Sequence, residues 1–416
     1  MTDSASRSAR AAAGATDHAA MRRNNRALVL DLLLDGSEVS RSLIAERTGL
    51  AKPTVSLIVE DLLAESLVTE VGQGGSTATG GRPPRLLALR PTAAAIVGVH
   101  VGVTRTTVVV ADALGNALAR RELPTPTTRP DTALRRIAEA VDAVIAESNV
   151  ARGRVASCVV CLPGLVDVED GTLLLASNLG WRDVPVTKRL TELLDLPVTA
   201  VNTAQATLVA ELMEGAAQGA REAVLVYAGT GVGAALASGG HLVSGGRGVA
   251  GELGHCRVRA DGVVCGCGKT GCLETVASAD AIARAASARW GKRAGEVTAQ
   301  RVAEAAASGD KVAVGLLEDS GAEIGAAAAW LVNLFDPDTV VLAGGLVGAG
   351  EVFTGAFTRA LHRDVLPAAG ERTVVLGGLG QDAEVRGALL LARERLREAL
   401  GRGALGRGAL GRGVLA

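Results

Sequence analysis

Gly251-Glu252-Leu253-Gly254-His255, followed by Cys265-Gly266-Cys267-Gly268-Lys269-Thr270-Gly271-Cys272-Leu273-Glu274, is the most chemically specific stretch of the chain. One imidazole, His255, and three thiols, Cys265, Cys267 and Cys272, make a complete tetrahedral ligand set for structural Zn2+. Such a set leaves no open position for a water. The C-x-C-x4-C spacing is short, and its glycines let the backbone wrap one ion. Cys256, beside the histidine, is a spare thiol and reads as packing. A redox dithiol fits less well, because a histidine and a third cysteine beside Cys-x-Cys suit a metal better than thiol exchange.

Outward from this stretch, apolar runs alternate with helical patterns. Ile96–Val110, Val155–Leu162, Val198–Val201, Val224–Tyr227 and Thr339–Leu342 read as buried strands, with an amphipathic helix around Leu134–Glu147. Glycine turns at strand ends complete an α/β layering. The 416 residues call for two or three cores. Hydrophobic residues make up 48% but aromatics only 2%, so the interiors are packed with Val, Leu, Ile and Ala. That composition suits buried parallel strands under Ala-rich helices. Cys158 and Cys161 lie in one of these strand patterns and read as small core hydrophobes. No signal peptide or membrane-length apolar run is present, so a cytoplasmic chain without disulfides or membrane contact is expected.

The first ninety residues follow a different rhythm. After a flexible leader over 1–20, a helical pattern from Asn24 carries Leu28, Leu32 and Leu33 on one face and ends at Gly36. A short helix from Ser40 or Arg41 to Arg47, a turn at Thr48-Gly49, and a third helix from Lys52 to about Glu65 follow. Leu67–Val71 and Leu86–Leu89 pair as a hairpin across the Gly-rich tip Gly72–Gly81. Ala45, Gly49 and Val55, with Ile44, Leu50 and Ile58 around them, match a helix-turn-helix: a small residue where helices cross, a glycine in the turn, apolar residues in the wedge. The second helix of that pair offers Lys52, Thr54 and Ser56 to bases and phosphates, with Pro53 in its first turn. An ordinary helical hairpin is the alternative, and the hairpin wing after three small helices argues against it. Gly80-Gly81-Arg82-Pro83-Pro84-Arg85 at the wing suits either an arginine, Arg82 or Arg85, in the minor groove or a basic linker. The net charge of −1 confines any nucleic-acid contact to such a local patch. The tail 401–416 repeats Gly-Arg-Gly-Ala-Leu and reads as a disordered, weakly basic extension whose contact with nucleic acid stays open.

With the head, Gly251–Glu274 resembles the signature of the ROK family (repressors, open reading frames and sugar kinases), nearest in layout to its xylose and N-acetylglucosamine repressor branch. The resemblance covers about Met21–Leu400. It implies a winged helix-turn-helix over 21–90 and, over 96–400, a two-lobed actin-like, ribonuclease-H-like domain with a sugar cleft. It also implies a homodimer or homotetramer, which suits palindromic operator DNA. By position, Glu252, His255 and Glu274 would bind sugar hydroxyls, with His255 also on the zinc and Asn202 as a further sugar ligand. Asn178 would line the same cleft.

Gly229-Thr230-Gly231-Val232-Gly233 resembles the family's second phosphate loop, and Gly344-Gly345 its adenosine-side loop. A purely structural turn explains the first equally well. Two departures argue against phosphoryl transfer. His100-Val101-Gly102-Val103-Thr104 stands where active members carry Asp-x-Gly-Gly-Thr, and Asn202-Thr203-Ala204-Gln205 stands for Asn-Asp-Ala-Asn. A threonine hydroxyl, Thr203, cannot serve as general base near neutral pH. The expectation is a non-enzymatic repressor of carbohydrate-related genes that responds to a sugar or sugar phosphate. A ROK sugar kinase with an appended DNA-binding head is the alternative.

Overall fold

The computed structural model describes residues 20–73, 83–126, 129–291, 296–367, 370 and 372–401. The first nineteen residues of the expected leader, Arg82 and the repeat tail beyond 401 lie outside them.

The chain opens with a helix over 20–34 (α1), a short strand Val39–Ser40 (β1), and helices Arg41–Thr48 (α2) and Lys52–Ala64 (α3). Strands Val68–Gln73 (β2) and Arg85–Leu89 (β3) follow. Ser40 caps α2 by accepting from Leu43 N at 3.2 Å, and Gly49 ends it in the left-handed region at φ 69°. Val55, Val59 and Leu62 of α3 are buried against Ile44 and Ala45 of α2, with Leu50 and Ile58 packed at the edge. The wing has three strands where a two-stranded hairpin was expected, because β1 pairs with β3 as well. Two residues give too short a run for alternation to show. A second correction concerns α1, whose buried face is Val29, Leu30, Leu33 and Leu34, while Leu28 is 44% exposed. This face enters a core shared with α2, α3, the wing and the last helix of the chain, and the last of these partners is one that sequence periodicity cannot see.

Two five-stranded sheets follow, and they repeat one topology. The first contains Ala95–Val101 (β4), Arg105–Asp112 (β5), Ala117–Pro124 (β6), Val155–Leu162 (β7) and Val198–Asn202 (β11), in the order β11-β7-β4-β5-β6. Between them lie helix Pro130–Glu147 (α4), a small sheet of Leu165–Val166 (β8), Leu173–Ala176 (β9) and Trp181–Val184 (β10), and helix Val186–Leu194 (α5). After helix Thr203–Met213 (α6) comes the second sheet: Ala223–Ala228 (β12), Val232–Ser238 (β13), His241–Leu242 (β14), Thr339–Ala343 (β15) and Thr373–Leu376 (β16). Its order is β14-β13-β12-β15-β16. In both, three strands run as an antiparallel meander and two more join parallel to the first. This is the duplicated-lobe arrangement expected of an actin-like fold. The run expected over 96–110 is thus two strands around the turn 102–104, mirrored by the turn 229–231 in the second lobe.

Alternation along β4 decides the layers. Ala95, Val97, Val99 and Val101 face the core under α4 and α5, while Ile96 faces Ala388, Ala392 and Leu396 of the last helix, Ala383–Gly401 (α12). The second lobe is covered by Glu274–Ala277 (α7), Ala279–Trp290 (α8), Ala299–Ala307 (α9), Lys311–Phe335 (α10) and Glu351–Asp364 (α11), whose Leu317, Ile324, Phe353 and Phe357 fill its core. On its other face lies α6, through Ala204 and Leu208. Cys158 and Cys161 are fully buried in β7, as their pattern required. No described helix is long and apolar enough to cross a membrane.

Candidate functional site

Between the lobes lies a cleft of about 760 Å3, lined by the two meander turns, the β9–β10 turn, the start of α6 and the start of α12. Glu252, His255, Glu274 and Asn202 all line it. Glu252 is pushed up to about 7, first by burial and then by the charge of Glu274. Glu274, the first residue of α7, accepts from Val232 N at 3.1 Å, and burial raises its pKa too. The β12–β13 turn lies against this carboxylate: a Cβ at Gly231 would sit 2.5 Å from Glu274 Oε2 and 2.9 Å from Asn178 Nδ2. A larger residue there would have to displace the ends of these two side chains.

Asn202 has a second task. Its Oδ1 accepts from Ala204 N and Gln205 N, capping α6, and its Nδ2 donates to Gly164 O at 2.8 Å. One amide hydrogen remains for a ligand. Beside it, Thr203 is 6% exposed, and its Oγ1 has no hydrogen-bond partner among the described residues. His100, at the end of β4, is held neutral by burial, against an opposing pull from Glu384.

Three cleft residues escaped sequence reasoning. Glu211, fully buried on α6, accepts from Ala216 N, Gly378 N and Leu379 N at 2.8, 3.0 and 3.2 Å. It shares the helical face of Ala204 and Leu208, so an acid on an apolar stripe was the available signal. Tyr227 of β12 donates to Glu384 Oε1 at 2.8 Å, joining the second lobe to α12 across 157 residues of chain. Glu384 Oε2 is buried and has no partner among the described residues. No local pattern pairs these two residues.

The metal ligand set gathers at one edge of the cleft. The ligating atoms of His255, Cys265, Cys267 and Cys272 all lie within 4.8 Å of one another. His255 Nδ1 is 3.6 Å from Cys265 Sγ, and the Cys267 and Cys272 sulfurs are 3.6 Å apart. Metal–sulfur bonds of about 2.3 Å in a tetrahedron give sulfur–sulfur edges of about 3.8 Å, so the cluster is compatible with a bound ion. Without a cation two of the thiols resist ionisation: burial raises Cys265, and burial with the Cys267 hydrogen bond pushes Cys272 up to about 12, whereas hydrogen bonds lower Cys267 against its burial. A divalent ion would reverse that. His255 turns Nε2 the other way, 3.9 Å from Glu252 Oε2, so it stands between cluster and cleft. Cys256 lies outside the four, partly buried against the second lobe's core.

On the head, Lys52 is exposed at the start of α3, and Thr54 and Ser56 are half-buried beside it. Arg85 forms an ion pair with Glu70 on the neighbouring strand, and Arg41 approaches the same carboxylate at 3.5 Å. Arg85 is therefore engaged within the wing rather than projecting freely.

Head and lobes meet along α12. Arg397 pairs with Asp31 at 2.8 Å and Asp35 at 3.6 Å, the first on α1 and the second just beyond it. Arg26 Nε donates to Leu400 O at 3.0 Å. Leu396 and Leu400 share a core with Val29, Leu30 and Leu33.

Comparison with known proteins accords with this layout. The ROK family profile matches residues 96–395. The xylose repressor of Bacillus subtilis (strain 168) is 28% identical over 372 residues, 89% of this chain and 95% of the repressor. The glucokinase of Halalkalibacterium halodurans is 32% identical over 313 residues, 72% of this chain and 95% of the kinase. A solved ROK family transcriptional regulator, a homologue of the Escherichia coli Mlc protein, superposes with a TM-score of 0.77 at 25% identity, over 93% of this chain and all of its own. Since the family profile runs from the first strand of the first lobe into the last helix, this chain belongs to the ROK family.

Proposed function

We propose that this chain is a sequence-specific DNA-binding regulator of carbohydrate-related genes, most simply a repressor, whose two-lobed domain over 96–400 senses a sugar and passes the signal to a head over 21–90. The observation that carries this reading is α12. Its first turn lines the cleft with Glu384, and its last turns hold α1 through Arg397, Leu396 and Leu400. A 19-residue helix is about 28 Å long, so one rigid element spans the distance from ligand to head. A ligand that prefers one angle between the lobes shifts the Tyr227–Glu384 contact, and with it the seat of α1.

In this reading Lys52, Thr54 and Ser56 meet operator DNA, with the wing residues Arg82 and Arg85 beside the groove. Glu252, His255, Glu274 and Asn202 hold sugar hydroxyls. Zn2+ on His255, Cys265, Cys267 and Cys272 fixes the loop that carries the sugar-binding histidine. The ion is structural, because four protein ligands leave it no open site. A homodimer or homotetramer would match a palindromic operator. Phosphoryl transfer is not expected: Thr203 occupies the position of the base, and Gly229, Thr230 and Gly231 of the turn, with Gly233 at the start of β13, are a remnant of a phosphate loop. Footprinting of the purified protein on DNA around its own gene, with and without candidate sugars, tests the reading. Protection that changes with a sugar supports it, and no protection anywhere sinks it. The glucokinase relative favours a second reading, a sugar kinase with an added head. ATP-dependent turnover across a sugar panel would establish that reading instead.

A further inference from the structure

Among the described residues the cleft is lined by six carboxyl groups, on Glu122, Glu211, Glu252, Glu274, Asp382 and Glu384, of which burial raises Glu252 and Glu274, against two guanidiniums and no lysine. Both guanidiniums are already paired. Arg105 lies 3.1 Å from Glu122, and Arg120 lies 2.8 Å from Glu122 and 2.7 Å from Asp382.

Several backbone amides in or beside the lining are engaged within the chain as well. Val232 N donates to Glu274, Gly378 N and Leu379 N to Glu211, and Ala204 N and Gln205 N to Asn202. Gly102 N and Gly229 N, in the two meander turns, donate to Arg105 O and Gly231 O. Among the described residues three buried lining atoms are left without a partner: Glu384 Oε2, on a side chain 7% exposed, Thr203 Oγ1, on one 6% exposed, and Ser177 Oγ. A carboxylate oxygen accepts only, so its missing partner must donate. Sugar hydroxyls donate, whereas ionised phosphate oxygens only accept and carry the repelled charge.

We infer that the cleft selects an uncharged sugar and rejects phosphorylated ligands, sugar phosphates and nucleotide triphosphates alike. This rests on the sugar-sensing reading for its ligand, but the rejection of phosphate stands on the lining alone. Glu384 and Glu122 act as specificity determinants: Glu384 demands a donor, and Glu122 keeps both arginines engaged.

The test is calorimetry on the full chain with neutral aldoses, their 6-phosphates, and tripolyphosphate with and without magnesium. Phosphorylated sugars are expected to bind at least about tenfold more weakly than their parents, and tripolyphosphate not to bind. Glu384→Gln and, separately, Glu122→Gln are expected to narrow that ratio or to admit tripolyphosphate. Glu122 lies at the exposed rim, so its variant keeps the test alive if Glu384→Gln fails to fold. Binding of a phosphorylated sugar or of tripolyphosphate as tight as that of any neutral aldose overturns the inference. So does a phosphate response that neither variant moves. If no neutral sugar binds while tripolyphosphate is still rejected and admitted by the variants, the charge selectivity holds and the sugar-sensing reading fails.

Discussion

His255 shows how much one side chain can decide. Its two ring nitrogens face different partners, Cys265 on one side and Glu252 on the other, so the metal site and the cleft share a wall. Native mass spectrometry is expected to find one zinc per chain, and Cys272→Ser to release it. If the zinc holds the sugar loop, the same variant should weaken sugar binding more than DNA binding in paired titrations; equal losses would argue for general unfolding. Tyr227 offers a second test. Tyr227→Phe leaves Glu384 without its hydroxyl donor and is expected to cost about 1–3 kcal/mol in denaturant unfolding. The residue types at the metal site were legible because a histidine and three cysteines in one glycine-rich stretch have few structural uses. Glu384 was not legible, because its partner is 157 residues away and its burial depends on how two lobes close.

At the scale of elements, α3 and α12 do different work. Replacing Lys52 with Ala on α3 is expected to weaken DNA binding about equally on all sequences and to flatten the salt dependence by about one unit of slope, as loss of a phosphate contact does. A change confined to one operator sequence would instead make Lys52 a base reader. Removing Arg397 at the far end of α12 should leave both binding events in place and weaken their linkage. In titrations of Arg397→Ala, sugar is expected to shift DNA affinity less than in the parent chain; an unchanged shift would mean the signal travels by another route. The helices of the head were readable from caps and turns such as Ser40 and Gly49, since those signals are local. The strand β6 was not: it is an exposed edge strand, and Ala117–Pro124 carries charges where apolar alternation would be needed to reveal it.

For the whole molecule, the ligand should bind the folded chain and stabilise it. At a hundredfold excess over its dissociation constant, the effector is expected to add about 2.7 kcal/mol, read as a rise in melting temperature. Because α12 shares one core with α1 and with β4, that stabilisation should extend to the head. Hydrogen exchange is expected to slow in α1 as well as in the lobes when sugar is added, and protection confined to the lobes would separate cleft from head.

The order of residues sets the local chemistry of this protein: which side chains can hold a metal, where helices start and stop, and which runs are apolar enough to be inner strands. These follow from near neighbours, and near neighbours are written in order. The tertiary structure alone decided that the two sheets repeat one topology, that α1 buries Val29 and Leu30 rather than Leu28, and that Glu211, Glu384 and Tyr227 converge on the cleft. Each of those depends on contacts between segments far apart in the chain. There the deciding partner is set by how whole layers pack and not by the pattern of either segment.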